Sequence, residues 1–325
     1  MADRKVMFVF PGQGSQYRGM GSDICSEYSV ARDVYAESSD ALGYDMARLS
    51  FEDPDNEIGL TRFTQPALLT HSVACMRVFE ELTNRQIKPL MAAGHSLGEY
   101  TALVGAGSLS LSDGLALVQK RGALMGAYGA GGMLALTLDL ETARPIADRF
   151  FCQVGGCNLP QQTVVGGKQQ DLEELAAYVT ENYPRKRAVP LATEGAFHTY
   201  FMVKAAQLFR EVLDATDFSE PNYQVLANYT GNVHESDVRG IRSRLFFQLI
   251  SPVKWVGCMQ TAIGQGVDTF VEFGGGLGAS EDPADKRPNL ESIIKKTLRS
   301  NKYEADYFAA INCNTLRAAA ELLSG

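Results

Sequence analysis

The sequence predicts an α/β protein of two subdomains, in which a small ferredoxin-like unit is inserted into a larger α/β unit. Three observations carry this expectation. Short apolar runs alternate with longer stretches of helical period, as in a sheet covered by helices. Four glycines fall between residues 126 and 132 and mark a change of texture. From there to residue 194 the strand and helix signals follow a β-α-β-β-α-β rhythm, after which the first texture resumes. The expected limits are 1–126 and 195–325 for the large subdomain and 127–194 for the insertion.

In chain order, the apolar run Val6-Met-Phe-Val-Phe10 is a buried first strand. It stops at Pro11-Gly12-Gln13-Gly14, a loop of residues suited to sharp turns. Apolar spacing predicts helices over 28–42 and 65–82, the second with Pro66 in its first turn, where no N–H is missed. Residues 91–94 read as a small-residue strand and 97–106 as the helix after it; a further helix over 113–126 is capped by Ser112. Within the insertion, a strand over 133–138 precedes a helix over 141–150. Gly156-Cys157-Asn158 then leads through Pro160 to a strand over 163–165, followed by a helix over 171–181 and a closing strand over 186–191. Strands are expected again at 224–227 and 269–273, and residues 274–288 read as a surface loop.

Composition excludes several function classes. Of 325 residues, 45% are hydrophobic and 21% charged, which is not the balance of a disordered chain. A formal net charge of −8 argues against a phosphate-backbone binder, so no nucleic-acid partner is expected. No run approaches the roughly 18 apolar residues of a membrane span, and the first strand is too short for a signal-peptide core. The six cysteines show no CxxC pairing and no histidine at zinc-finger spacing. They are expected to be reduced, in a cytoplasmic protein without a metal.

Gly94-His95-Ser96-Leu97-Gly98 fits G-x-S-x-G between an expected strand and an expected helix. A sharp turn there exposes the serine hydroxyl, and glycines on either side let strand and helix approach. The N–H groups at the helix start can then face an oxyanion. This elbow implies an α/β-hydrolase-like large subdomain with Ser96 as nucleophile; the bland alternative is a glycine-rich turn capped by a serine. Among the histidines, His71 lies in a helical stretch and His95 adjoins the serine, where successive side chains diverge. His234 sits in a polar segment and reads as a loop residue. His198, after the apolar pair Ala196-Phe197, is by elimination the candidate base.

With these residues placed, the chain resembles the malonyl-CoA:acyl carrier protein transacylases of fatty acid synthesis and the acyltransferases of polyketide synthases. The resemblance is carried in order by Phe10-Pro-Gly-Gln-Gly-Ser-Gln16, Thr64-Gln-Pro-Ala-Leu68, Gly94-His-Ser-Leu-Gly-Glu-Tyr100 and Val118-Gln-Lys-Arg-Gly122. It continues through Cys157-Asn158, Gly195-Ala-Phe-His198, Ser251-Pro-Val-Lys-Trp255 and Phe270-Val-Glu-Phe-Gly274. It implies that Ser96 takes the acyl group from coenzyme A and that His198 serves as base and then acid. It also implies that the backbone carbonyl of Gln248, rather than an Asp, orients the histidine, and that the N–H groups of Gln13 and Leu97 form the oxyanion hole. Arg121 is implied to grip the free carboxylate of malonyl, because a guanidinium fork matches a carboxylate in two parallel bonds. Phe197 is implied to fill the space a 2-methyl branch would need, and Leu97 agrees with a malonyl preference. Gln65, His95 and Asn158 stand on shared segments and are expected beside the substrate.

The implied partners are malonyl-CoA and an acyl carrier protein, whose phosphopantetheine thiol receives the acyl group. No bound cofactor or metal is implied, and a monomer is expected. Departures from the family pattern are Glu272-Phe-Gly-Gly-Gly276 and the long charged stretch after it. Two other readings compete: a hydrolase clearing stalled acyl groups from carrier proteins, and a non-catalytic docking domain. Arg121 argues against the first, since a buried cation does nothing for a neutral acyl chain. Intact Ser96, His198 and Arg121 argue against the second. Carrier docking is expected at a basic patch, either Arg185-Lys186-Arg187 or the cluster of Arg239, Arg242 and Arg244.

Overall fold

Strands buried on both faces need helices on both sides, and this sets the architecture. The computed structural model describes residues 4–235 and 237–324. Its strands are β1 (Val6–Phe10), β2 (Pro89–Gly94), β3 (Gly132–Leu136), β4 (Gln153–Leu159), β5 (Gln162–Gly167), β6 (Ala188–Leu191), β7 (Gln224–Val225), β8 (Thr269–Phe273) and β9 (Asp306–Ala310). The larger sheet has the order β7-β2-β1-β8-β9, with every neighbouring pair parallel. Every residue of β1 and β8 is buried, which suits their central places.

The smaller sheet has the order β4-β5-β3-β6 with antiparallel neighbours, the ferredoxin-like arrangement. Alternation along β3 divides its side chains between two cores. Leu134 and Leu136 pack under the helices Leu140–Arg149 and Gln169–Asn182. Met133 and Ala135 face the other way, into a cluster with Met125, Val164, Phe197 and Met202. That second face looks toward the large subdomain. The two units are also stitched by backbone: Cys157 N–H donates to Val253 O at 2.8 Å, and Val253 N–H to Gly155 O at 3.1 Å.

Several elements differ from expectation. The helix expected from residue 65 is Thr61–Leu82, so Pro66 lies inside it. The reason is a tertiary contact, since the Glu194 carboxylate accepts the Thr61 N–H at 2.6 Å and serves the free helix end. The cap of the helix Leu111–Tyr128 is Ser110, not Ser112; its hydroxyl accepts the Asp113 N–H at 3.0 Å. The Gly156-Cys157-Asn158 segment belongs to a full strand, β4, while β7 is only two residues long. β9 was not anticipated; it lies at the sheet edge, half-exposed, and its polar start at Asp306 obscures the pattern.

Residues 274–288 are not a free surface loop either. Gly276 N–H donates to Ser15 O at 2.7 Å, and the Lys286 ammonium lies 4.2 Å from the Tyr17 ring centroid while donating to Gly278 O. The stretch clamps the chain just after the Gly12–Gly14 turn.

The strand-to-helix elbow depends on two glycines. A Cβ on Gly94 would stand 1.8 Å from the Gly98 carbonyl carbon, and one on Gly98 would stand 2.2 Å from Phe10 O. Both obstacles are backbone and cannot swing away. Gly98→Ala should therefore lower the free energy of urea unfolding by about 1–3 kcal/mol or more. Gly59→Ala, where a Cβ meets nothing within 4 Å, should leave it unchanged.

Candidate active site

Ser96 sits between the end of β2 and the helix Leu97–Gly105, with φ 53° and ψ −101°. A non-glycine residue in that region is strained by about 1–3 kcal/mol and must be held there. The holding bonds are visible. Its N–H donates to Asn228 Oδ1 at 2.7 Å, and its carbonyl accepts from Gln248 Nε2 at 2.9 Å. Asn228 in turn donates to Gly94 O at 2.8 Å, so one side chain spans the whole turn.

His198 also has a positive φ, 62°, and lies 102 residues away in sequence. Its Nε2 is 2.7 Å from Ser96 Oγ, and its Nδ1 is 2.7 Å from the backbone carbonyl of Gln248. A carbonyl can only accept, so Nδ1 carries the proton and Nε2 is free to accept from the serine. Burial, and then the nearby Arg121 cation, push this imidazole down to about 3, so it stands neutral at ordinary pH.

Arg121, on the helix Leu111–Tyr128, is 1% exposed. It donates to Gln65 Oε1 at 2.9 Å, Ser96 Oγ at 3.0 Å and Gln248 Oε1 at 3.0 Å, all neutral oxygens. Its Nε has no partner among the described residues. The Tyr100 ring centroid lies 5.2 Å from the guanidinium carbon. Burial lowers the Arg121 pKa, while Tyr100 and Glu99 pull it back up.

A cavity of about 280 Å³ opens over these groups, lined from the large subdomain by Gln13, Ser96, Leu97 and Arg121 and from the insertion by Met133, Asn158 and Leu191. Gln65, His95, Phe197 and His198 also line it. Gln13 and Leu97 N–H groups bond no acceptor among the described residues. His95 is turned away from the Ser96 hydroxyl and bonds Asn158 Oδ1 at 2.8 Å. Gln248 is buried behind the cavity. The structure thus brings together all ten residues singled out in the sequence.

Three further residues were missed. Glu99 and Asn228 are fully buried beneath Ser96, and His234 is not the loop residue expected but a buried partner of Glu99 at 2.8 Å. Glu99 stands in the first turn of the elbow helix, and that spacing from Ser96 was the available signal. Asn228 and His234 had none, because a turn after β7 delivers them. The basic clusters also need correction. Arg242 donates to Thr216 O and Arg244 to Val233 O and Glu235, and both are half-buried, so of that cluster Arg239 alone is exposed. Arg185 and Arg187 are exposed just before β6, whose last residue, Leu191, lines the cavity.

Residues 7–273 match the model of the acyl transferase domain. The chain belongs to that family. Among acyl transferase domain proteins, the malonyl CoA-acyl carrier protein transacylase of Bacillus subtilis strain 168 is 38% identical over 281 residues, covering 84% of this chain and 87% of that protein. The crystal structure of a malonyl-CoA:acyl carrier protein transacylase from Xanthomonas oryzae pv. oryzae superposes with a TM-score of 0.88 at 32% identity, covering 99% of both chains. A malonyl-transacylase in complex with its type II polyketide synthase acyl carrier protein gives a TM-score of 0.88 at 32% identity, over 98% of this chain and 99% of that one. No helix of the described residues is long and apolar enough to cross a membrane.

The lowered pKa of His198 has a measurable consequence. A base with a depressed pKa stays unprotonated until the pH falls through that value. A serine-directed fluorophosphonate should label Ser96 at a nearly constant rate from about pH 8 to about pH 5. A rate that halves near 6.5, the ordinary histidine value, would mean the imidazole is not held as described.

Proposed function

We propose that the chain is a malonyl-CoA:acyl carrier protein S-malonyltransferase of fatty acid or polyketide synthesis, acting in the cytoplasm. Arg121 carries the proposal: it is a buried guanidinium bonded only to neutral oxygens, with one of them the Ser96 hydroxyl at 3.0 Å. Such a cation is a receptor for an acyl group that ends in a carboxylate. An acyl hydrolase for neutral chains gains nothing from it. The relatives named above, a malonyl CoA-acyl carrier protein transacylase and a malonyl-transacylase bound to a type II polyketide synthase carrier protein, support the same reading.

The steps follow from the bonds already described. Ser96 Oγ attacks the thioester carbonyl of malonyl-CoA as its proton passes to His198 Nε2. The resulting oxyanion faces the N–H groups of Gln13 and Leu97. Collapse breaks the carbon–sulfur bond, and the coenzyme A thiolate leaves with the proton from His198. The phosphopantetheine thiol of the carrier protein then gives its proton to His198 and attacks the ester, and Ser96 recovers its proton on leaving. The Gln248 carbonyl holds the imidazole tautomer through both halves. Arg121 exchanges its bond to the free hydroxyl for the malonyl carboxylate, while Gln65, His95 and Asn158 border the acyl group. We read the insertion as a subdomain over 127–194, closing the cleft that the phosphopantetheine arm enters.

Brief incubation with malonyl-CoA should add one malonyl mass to the peptide holding Ser96, and Ser96→Ala should abolish it. Arg121→Ala should lose malonyl loading by two or more orders of magnitude, following the roughly 3–5 kcal/mol of an ion pair broken at a buried site. Acetyl loading should fall far less; equal losses would mean that the arginine is structural.

Phe197 lies against Met125, Met133 and Val164 at the cavity wall. Replacing its ring with a hydroxyl group opens room for a branch. Phe197→Ser should raise methylmalonyl relative to malonyl turnover by about tenfold, the scale of one methyl in a tight pocket. An unchanged ratio in competition assays would place that selectivity elsewhere.

A further inference from the structure

Glu99 is fully buried three residues after Ser96. Its Oε2 accepts from Gln248 Nε2 at 2.7 Å and from Asn228 N–H at 2.9 Å, and its Oε1 accepts from His234 Nε2 at 2.8 Å. Gln248 turns its amide oxygen the other way, to Arg121 Nη2 at 3.0 Å. The side-chain amide therefore stands between a buried cation and a buried carboxylate, with its oxygen toward the first and its N–H toward the second. Two opposite charges would orient a dipole in this sense. The reverse orientation would set N–H against guanidinium and carbonyl against carboxylate, two repulsive contacts.

An unbalanced guanidinium in the interior is strongly destabilising. A carboxylate in direct contact would balance it, but would also occupy the fork. Placed one amide away, the carboxylate supplies the opposite charge and leaves Nη2 beside Ser96 Oγ. We propose that Glu99 is the counter-charge of Arg121, acting through Gln248, and so a positioning residue for selection of a carboxylate-bearing acyl group. The link to selection rests on the reading of Arg121 given above; the counter-charge itself does not. His234, which faces Glu99 from the opposite side, is the rival partner.

Thermal melts of the full chain test this with a double-mutant cycle. Glu99→Gln should lower the melting temperature by about 5 °C or more, and by less than half as much in an Arg121→Met background, where no cation needs balancing. Charge-preserving Glu99→Asp should retain most of the wild-type value. Malonyl-CoA loading brings a carboxylate to Ser96, so it should raise the melting temperature of Glu99→Gln more than that of the wild type, whereas acetyl-CoA should not. Equal losses with and without Arg121 would overturn the proposal, as would coupling of that size to His234→Gln instead. If Glu99→Gln does not fold alone, a folded double variant supports the proposal and an unfolded one overturns it. Coupling without extra recovery on malonylation would leave the counter-charge standing and refute the carboxylate reading of Arg121.

Discussion

The structure is organised around one buried cation. Arg121 lies in the interior with its hydrogen bonds directed at Gln65, Ser96 and Gln248, each on a different segment of the chain. A guanidinium in such a place is tolerated only when its neighbours are arranged for it. The helix Thr61–Leu82 must bring Gln65, the elbow must bring Ser96, and the helix Val238–Ile250 must bring Gln248. Burial first, and then this cation, lower the His198 pKa and keep the imidazole neutral beside Ser96.

Gln248 is where these demands meet. Its backbone carbonyl fixes the His198 tautomer, its side-chain oxygen accepts from Arg121, and its side-chain N–H groups reach Ser96 O and Glu99. Behind the histidine stands a backbone carbonyl rather than an aspartate, and its bond to Nδ1 orients the ring. An ionised carboxylate at that position would instead favour the imidazolium and weaken the influence of Arg121. Glu99 lies on the far side of the Gln248 side-chain amide.

Two residues with strained backbone, Ser96 and His198, face each other beside the seam between the two units. Each is held by bonds from elsewhere in the chain, Ser96 by Asn228 and His198 by Gln248. The seam is further closed by Phe197 and the Met133 face of β3, so the insertion forms one wall of the cavity. A shift between the two units would reshape the cavity, which both of them line.

Much of this was legible in the sequence for local reasons. The elbow is encoded by short-range sterics, since Gly94 and Gly98 are where strand, helix and β1 touch. The β-α-β-β-α-β rhythm is likewise a local pattern of apolar runs, and it predicted the smaller sheet. His198 could be sorted from three other histidines by its apolar neighbours, and Arg121 only by its place in a family motif. What the tertiary structure alone decided are the contacts between distant segments. Glu194 starts the helix at Thr61 from 133 residues away, and Asn228 reaches the Ser96 N–H across 132. Glu99, His234 and Asn228 are polar residues whose burial depends on each finding the others. Composition and periodicity report what one segment does to itself, whereas a buried polar network exists only once the chain has brought its members together.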